Sequence, residues 1–443
     1  MKRKLALAIL GLGTTVALAA LSAQAGPTEP VQPAYIAYDT QPIAGVNAGA
    51  NSISNLGWAS GTSTVASGDT HAALWSPGNV IDLGTLGGAS SGVEWPVKNN
   101  HGLVVGISET GVNDPLGEGG FSCGAFLDLH GHTCLPFLWR NGVLTALPLL
   151  GGNNGFATGI NNAGSAVGWA ETEVHDATCI APQVLQFEAV EWGPAVGEKH
   201  VLPPLPGDAT SAATAINDAG EVVGISGDCG VAVGRFSARH AVLWLNGHPV
   251  RLPTLGGQGW NTPMAINNLG TVVGFSDTTG DVVNGKLKAN FQAFLWNHLS
   301  GIRQLPTYPG DVLSEATGIN DFGQIVGTSF PAAGGSRMVL WQNGTVYDLN
   351  SLLPPDSPLM ILASGDINNY GEITGFACVV SGNACGNEVH AFVAILAPAS
   401  GHDAAARPGA PAAERHVFVP PQVQARMRLL HRLGRMPDAQ PLP

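Results

Sequence analysis

The chain has 443 residues, 44% hydrophobic and only 12% charged, with 60 glycines, 31 prolines and a formal net charge of −13. That balance excludes an intrinsically disordered chain, which needs low hydrophobicity and high charge. An acidic surface disfavours nucleic acid and anionic membranes as partners.

The elements are taken in chain order. Met1-Lys2-Arg3-Lys4 is a basic start, an apolar run follows to about Leu21, and Ala23-Gln24-Ala25 is a small-x-small cleavage site. Residues 1–25 therefore read as an export signal cleaved after Ala25. No later stretch approaches the ~20 apolar residues of a membrane span, so no integral membrane segment is expected. The product is expected to be secreted or periplasmic.

From residue 34 the chain turns repetitive. One half-motif reads Ala/Thr-x-Ile-Asn-x-x-Gly-x-Val-Val-Gly, clearest at Ala215-Ile216-Asn217-Asp218-Ala219-Gly220 and Ala265-Ile266-Asn267-Asn268-Leu269-Gly270. Its turn glycines are Gly57, Gly102, Gly164, Gly220, Gly270, Gly323 and Gly371, seven copies roughly fifty residues apart. The other half-motif reads His-Ala-x-Leu-Trp. It runs from His71, His240 and, without the Trp, His390, and it places Trp75, Trp139, Trp192, Trp244, Trp296 and Trp341 at one repeat position.

Each repeat predicts four short strands. Asn-x-x-Gly is a tight reversal between the first and second, because Asn and Gly tolerate left-handed conformations. Asn141-Gly142, Asn246-Gly247 and Asn343-Gly344 are hairpin signals between the third and fourth. Four antiparallel strands repeated seven times predict an all-β fold, a seven-bladed β-propeller. The last repeat stops after its third strand near Ala397, and the strand-like residues 34–39 are left over at the start. The N-terminal strand is expected to complete the last blade, which removes exposed sheet edges; an open solenoid would have no use for it.

The Ile-Asn-x-x-Gly-x-Val-Val-Gly and His-Ala-Phe/Leu-x-Trp pattern resembles the HAF-repeat family of probable extracellular bacterial proteins. The literal triplet stands at His390-Ala391-Phe392. The resemblance covers residues 35 to 397. It implies export and a repeat fold, and brings no activity, cofactor or catalytic residue with it.

Six cysteines suit an oxidising compartment. Cys123 with Cys134 and Cys378 with Cys385 are proposed as local disulfides, and Cys179 with Cys229 as a third. All six fall in long, variable second-to-third-strand segments, at about 107–134, 169–186, 225–239, 275–291 and 376–389. A meander puts these loops on one face and the tight turns on the other. Variable loops on a fixed scaffold usually carry binding, so the long-loop face, with its channel mouth, is the expected ligand face.

Candidate binding residues are Trp95 beside Glu94, Phe156, and Trp260 beside Asn261, read as exposed aromatics with neighbouring polar groups for a glycan or a protein hot spot. The alternative is packing between blades. Asp114, Glu118, Asp128, Glu171, Glu173, Asp176, Asp228, Asp277 and Asp281 populate the loops. They are read as solvated charges unless several converge on a cation. His71, His240 and His390 read as structural hydrogen-bonding groups, and His130 and His132 as the remaining metal candidates. No catalytic motif and no cofactor site is present. The expectation is a non-enzymatic module binding an extracellular glycan, peptide or protein. The alternative is a propeller hydrolase or lyase acting on polysaccharide. Residues 398–443 form an Ala/Pro/Arg-rich tail, read as disordered, with a short basic helix over 421–434 as an alternative.

Overall fold

The computed structural model describes residues 33–398, apart from 120–122, 125, 128–129, 196, 231–237, 284–285, 289 and 383, together with Val419, Pro420 and Val423. The export signal expected over 1–25 lies outside the described residues.

Seven four-stranded antiparallel sheets follow one another as a β-propeller. Blades 1 to 6 span residues 48–84, 87–146, 151–202, 210–251, 256–304 and 311–348, and each is a simple meander. Blade 4 shows the pattern: Thr210–Ile216, Val222–Gly227, His240–Leu245 and His248–Arg251. Blade 7 supplies Leu359–Ile367, Ile373–Ser381 and His390–Leu396. Its fourth strand is Tyr35–Asp39, paired from Tyr35 against Leu396 to Asp39 against Phe392. The ring is closed by the N-terminal strand, as the leftover elements require.

The motif residues have local causes. Asn141, Asn246 and Asn343 take φ of 51°, 52° and 52°, each followed by a positive-φ glycine. This is the left-handed pair that a two-residue hairpin needs. A bulge in the first strand of blade 4, between Ala213 and Ala215, brings that strand close to the second. A Cβ on Gly224 would lie 2.1 Å from the Ala212 carbonyl oxygen, so Val-Val is followed by glycine.

Blades are joined by two sets of hydrogen bonds. On the outside, the buried Trp indole reaches back to the carbonyl that ends the preceding blade. Trp192 Nε1 donates to Pro148 O at 2.8 Å, Trp244 Nε1 to Pro203 O at 2.8 Å and Trp341 Nε1 to Pro306 O at 2.7 Å. Trp75 Nε1 uses Gln41 O of the closing segment at 3.0 Å. On the inside, the motif Asn binds two blades at once. Asn267 Oδ1 accepts from Leu269 N and Thr271 N, closing its own turn, while Asn267 Nδ2 donates to Asn320 O of the next blade at 3.0 Å. The same donation runs from Asn99 to Asn161, Asn217, Asn267, Asn320, Asn368 and finally Ser54.

The following residue forms a second ring with no break. The backbone N–H groups of Asn55, Asn100, Asn162, Asp218, Asn268, Asp321 and Asn369 each donate to the side-chain Oδ1 of the next member, and Asn369 returns to Asn55 at 2.9 Å.

The three proposed disulfides are present: Cys123–Cys134, Cys179–Cys229 and Cys378–Cys385. The second joins the long loops of blades 3 and 4. Val423 is buried in a cluster with Leu362, Ala363, Phe376, Cys378, Cys385 and Val389 of blade 7. The rest of the tail beyond Pro398, apart from Val419 and Pro420, lies outside the described residues.

Asn267 is buried and makes all three of its side-chain bonds to backbone. Asn267→Ala leaves buried backbone groups without partners and should cost on the order of 3 kcal/mol. The check is the urea midpoint at constant slope; a change below about 1 kcal/mol would mean that the amide does not hold the blades.

Candidate functional site

The long-loop end of the channel is filled. Trp95, Phe156 and Trp260 are 1%, 0% and 3% exposed, in one cluster with Ile107, Trp169, Phe187, Ile225, Met264, Phe275 and Phe291. Trp95 Nε1 donates across the ring from blade 2 to Met264 O of blade 5 at 3.3 Å. Trp260 packs edge-on to Phe275, with centroids 5.4 Å apart. Glu94 and Asn261 are also buried. Asn261 Nδ2 donates to Arg239 O at 2.8 Å, and its Oδ1 accepts from Ser276 Oγ at 2.6 Å. The expectation of exposed stacking rings on this face is corrected. The first strands of the blades line the axis; Phe156 and Trp260 lie in them, Trp95 follows the first strand of blade 2, and their rings fill the hole between the blades.

The loop acids tie down backbone. Glu118 Oε1 accepts from Val184 N and Leu185 N at 2.5 Å, locking the blade 2 loop to blade 3. Glu171 accepts from Asn153 N, Asn154 N and Gln183 Nε2. Burial, reinforced by the charge of Glu118, pushes the Glu171 carboxyl up to about 7. Asp281 Oδ2 accepts from Gln258 N at 2.6 Å and Gly259 N at 2.7 Å. Asp114 caps its own loop through Leu116 N and Gly117 N, Asp176 Oδ1 accepts from Thr178 N, and Asp228 pairs with Arg239 at 2.6 Å. Asp277 Oδ1 accepts from Asn290 N at 3.3 Å. Glu173 packs under Gly151, and Asp128 lies outside the described residues.

The histidines have carboxylate partners. His130 and His132 each place Nδ1 3.1 Å from one oxygen of Glu109. Among the described residues no three His, Cys, Asp or Glu groups could hold a metal ion. His71, His240 and His390 face Asp82, Asp208 and Asp39 at 2.9, 2.7 and 2.8 Å. The hydrogen bond that His390 Nδ1 donates to Asp39, against the cost of burial, raises the His390 pKa.

The opposite end is open. The Asn and Asp rings frame a polar funnel with about 40 Å³ of free space, room for a few waters. Lys98 stands where six other blades have Ile. Its Nζ donates to Ile319 O and to Ile367 O and lies 3.2 Å from Asp366 Oδ1. One cation thus crosses the channel floor and meets a fully buried carboxylate.

Around the funnel stands a crown that the motif reading missed. The residue between the paired Asn/Asp and the turn glycine is Leu56, His101, Ala163, Ala219, Leu269, Phe322 and Tyr370 in blades 1 to 7. Four of these are large, apolar and exposed: Leu56 at 47%, Leu269 at 74%, Phe322 at 77% and Tyr370 at 68%. They occupy the consecutive blades 5, 6, 7 and 1. Leu299, in the neighbouring hairpin of blade 5, is fully exposed. The signal was available in the sequence, because Leu, Phe and Tyr are poor choices at the tip of a tight turn.

No family model matches the chain, and no curated protein does. Among solved structures, the β-propeller domain of the Trilobed protease from Pyrococcus furiosus is similar at 9% identity, with a TM-score of 0.45, over 77% of this chain and 91% of that one. The acylaminoacyl peptidase from Pyrococcus horikoshii is similar at 11% identity, TM-score 0.44, over 78% of this chain and 51% of that one. TolB from Acinetobacter baumannii is similar at 11% identity, TM-score 0.38, over 75% and 78%. This chain spans about half the length of the Pyrococcus horikoshii peptidase. At these identities and scores the likenesses say nothing of activity.

The raised Glu171 carboxyl has a consequence for stability. Between the ordinary value of 4.5 and about 7, the folded protein holds a proton that the unfolded chain has lost, so stability falls as pH rises through that window. Glu171→Gln should remove this fall, on the order of 3 kcal/mol across the window. Urea denaturation from pH 5 to pH 8 tests it; parallel profiles for the two proteins would contradict it.

Proposed function

We propose that this protein is a non-enzymatic binding module that docks a partner protein on its tight-turn face, over blades 5, 6, 7 and 1. The observation that carries the reading is the run of exposed Leu269, Phe322, Tyr370 and Leu56 in four consecutive blades. Single exposed apolar residues are ordinary; a contiguous set rimmed by polar groups marks an interaction surface. The rim here is acidic, with Asp218, Glu221, Asp321 and Glu372. The fitting partner has apolar pockets inside a border of Lys and Arg.

A protein suits this face better than a sugar. The ring amides are engaged with one another: Asn162 bonds Asp218 through both N and Nδ2, and Asn369 Nδ2 bonds Asp321. They leave few donors and acceptors to read hydroxyl groups, and Leu56 and Leu269 offer no ring face for a sugar to stack on. The polysaccharide-enzyme alternative needs carboxylates converging at an open mouth. Glu118 and Glu171 come together, but both are fully buried under loops.

The setting is compatible with the HAF-repeat resemblance and with export. Three disulfides fit an oxidising compartment. No helix among the described residues is long and apolar enough to cross a membrane.

A photo-crosslinking amino acid placed at Phe322 or Tyr370, in the full chain expressed in its native host, should give a discrete protein adduct. The same group at Val112, on the long-loop face, should give none. Leu269→Asp should reduce the Phe322 adduct at least tenfold without lowering the melting temperature, since Leu269 is exposed. Adducts confined to Val112, or adducts insensitive to Leu269→Asp, would overturn the reading.

A further inference from the structure

The position after the second-strand motif glycine separates the blades into two groups. It holds Ile107, Trp169, Ile225 and Phe275 in blades 2 to 5, and these four cover one another in the channel cluster. In blades 1 and 6 it holds Thr62 and Thr328. Blade 7 holds Phe376, an apolar side chain flanked on both sides by threonine-bearing blades. Phe376 is nevertheless 2% exposed. One side of its ring rests on Gly49 of blade 1; the apolar side chains that share its cluster, beyond blade 7 itself, are those of the distant tail: Val423, fully buried, and Val419, packed against the same group.

We infer that blade 7 carries a docking socket for a short apolar segment with side chains four residues apart, and that the chain's own Val419 and Val423 occupy it as an intramolecular ligand. Val419 and Val423 have the spacing of one helical turn. The socket is made by Leu362, Ala363, Phe376, Val389 and the Cys378–Cys385 pair, on the long-loop side. The third strand of blade 7 ends at Leu396, on the tight-turn side. Twenty residues separate Pro398 from Val419, enough to span up to about 66 Å, so the return within one chain is unforced.

Charge favours the same occupant. Residues 399–443 carry six arginines against three acids, in a chain of net charge −13. A tethered segment meets its socket at an effective concentration on the order of millimolar. It therefore excludes a free segment of the same chemistry: apolar residues at i and i+4, followed by a basic run. The socket lies on the face opposite the apolar crown and is independent of the function proposed for it.

The test uses the full chain and a fluorescent synthetic peptide of residues 416–432 as probe. Val419→Asp/Val423→Asp empties the socket without touching the propeller. That variant should bind the peptide at least tenfold more tightly than the wild type does, and a peptide with the same two substitutions should bind neither. Should the double variant fail to fold, the same titration on Val423→Ser decides the matter, with the same direction expected. Equal affinity for variant and wild type, or binding to neither, overturns the inference.

Discussion

A buried side-chain amide that bonds its own turn and the next blade together is the interaction on which this molecule depends. Each repeat brings only four short strands, and no blade can bury both of its faces alone. The motif Asn solves two problems with one group. Its oxygen satisfies the backbone N–H groups of a tight turn, and its nitrogen reaches the carbonyl of the neighbour. Six Asn side chains carry this link around the ring to Ser54. The adjacent Asn/Asp position closes a complete circle of seven. Because the amides sit near the axis and the Trp–Pro bonds further out, each blade is held to its neighbours at two radii.

That double attachment makes the two faces unequal. At the long-loop end the channel is packed with Trp95, Phe156, Trp260 and their neighbours, and the loop carboxylates hold backbone. At the tight-turn end the rings need space for their own geometry, so a polar funnel remains, crossed by Lys98. The turn tips are free to vary without disturbing either ring. In blades 5, 6, 7 and 1 they carry large apolar side chains. Positions that can vary without disturbing the scaffold lie here in the tight turns as well as in the long loops.

Much of the fold was legible because its causes are local. Asn-x-x-Gly and Asn-Gly report positive-φ turns, the recurring Trp reports a packing position, and the missing fourth strand of the last repeat points to residues 34–39 as its replacement. Two of the disulfide pairs, Cys123 with Cys134 and Cys378 with Cys385, followed from closeness in sequence. The site was much less legible. Whether Trp95 and Trp260 point to solvent or to the axis depends on how the ring sets the first strands of the blades around the axis, and no single repeat contains that information. The second role of Asn, as a donor to the next blade, is likewise invisible until two turns are set beside each other. Leu269, Phe322 and Tyr370 were visible as unusual turn residues, but their alignment on one arc appears only when seven repeats are closed. The return of Val423 to blade 7 bridges a composition that reads as pure linker.

The most direct measurement of the central claim is native-state hydrogen exchange at the backbone amides of Asn55, Asn100, Asn162, Asp218, Asn268, Asp321 and Asn369. These groups sit in tight turns at an open face, where ordinary turn amides exchange quickly. If the ring holds the blades together, all seven should be protected alike, with opening free energies close to that of global unfolding. Exchange within about tenfold of unprotected turn amides, or protection at some members and not others, would show that the blades are held by their outer packing alone.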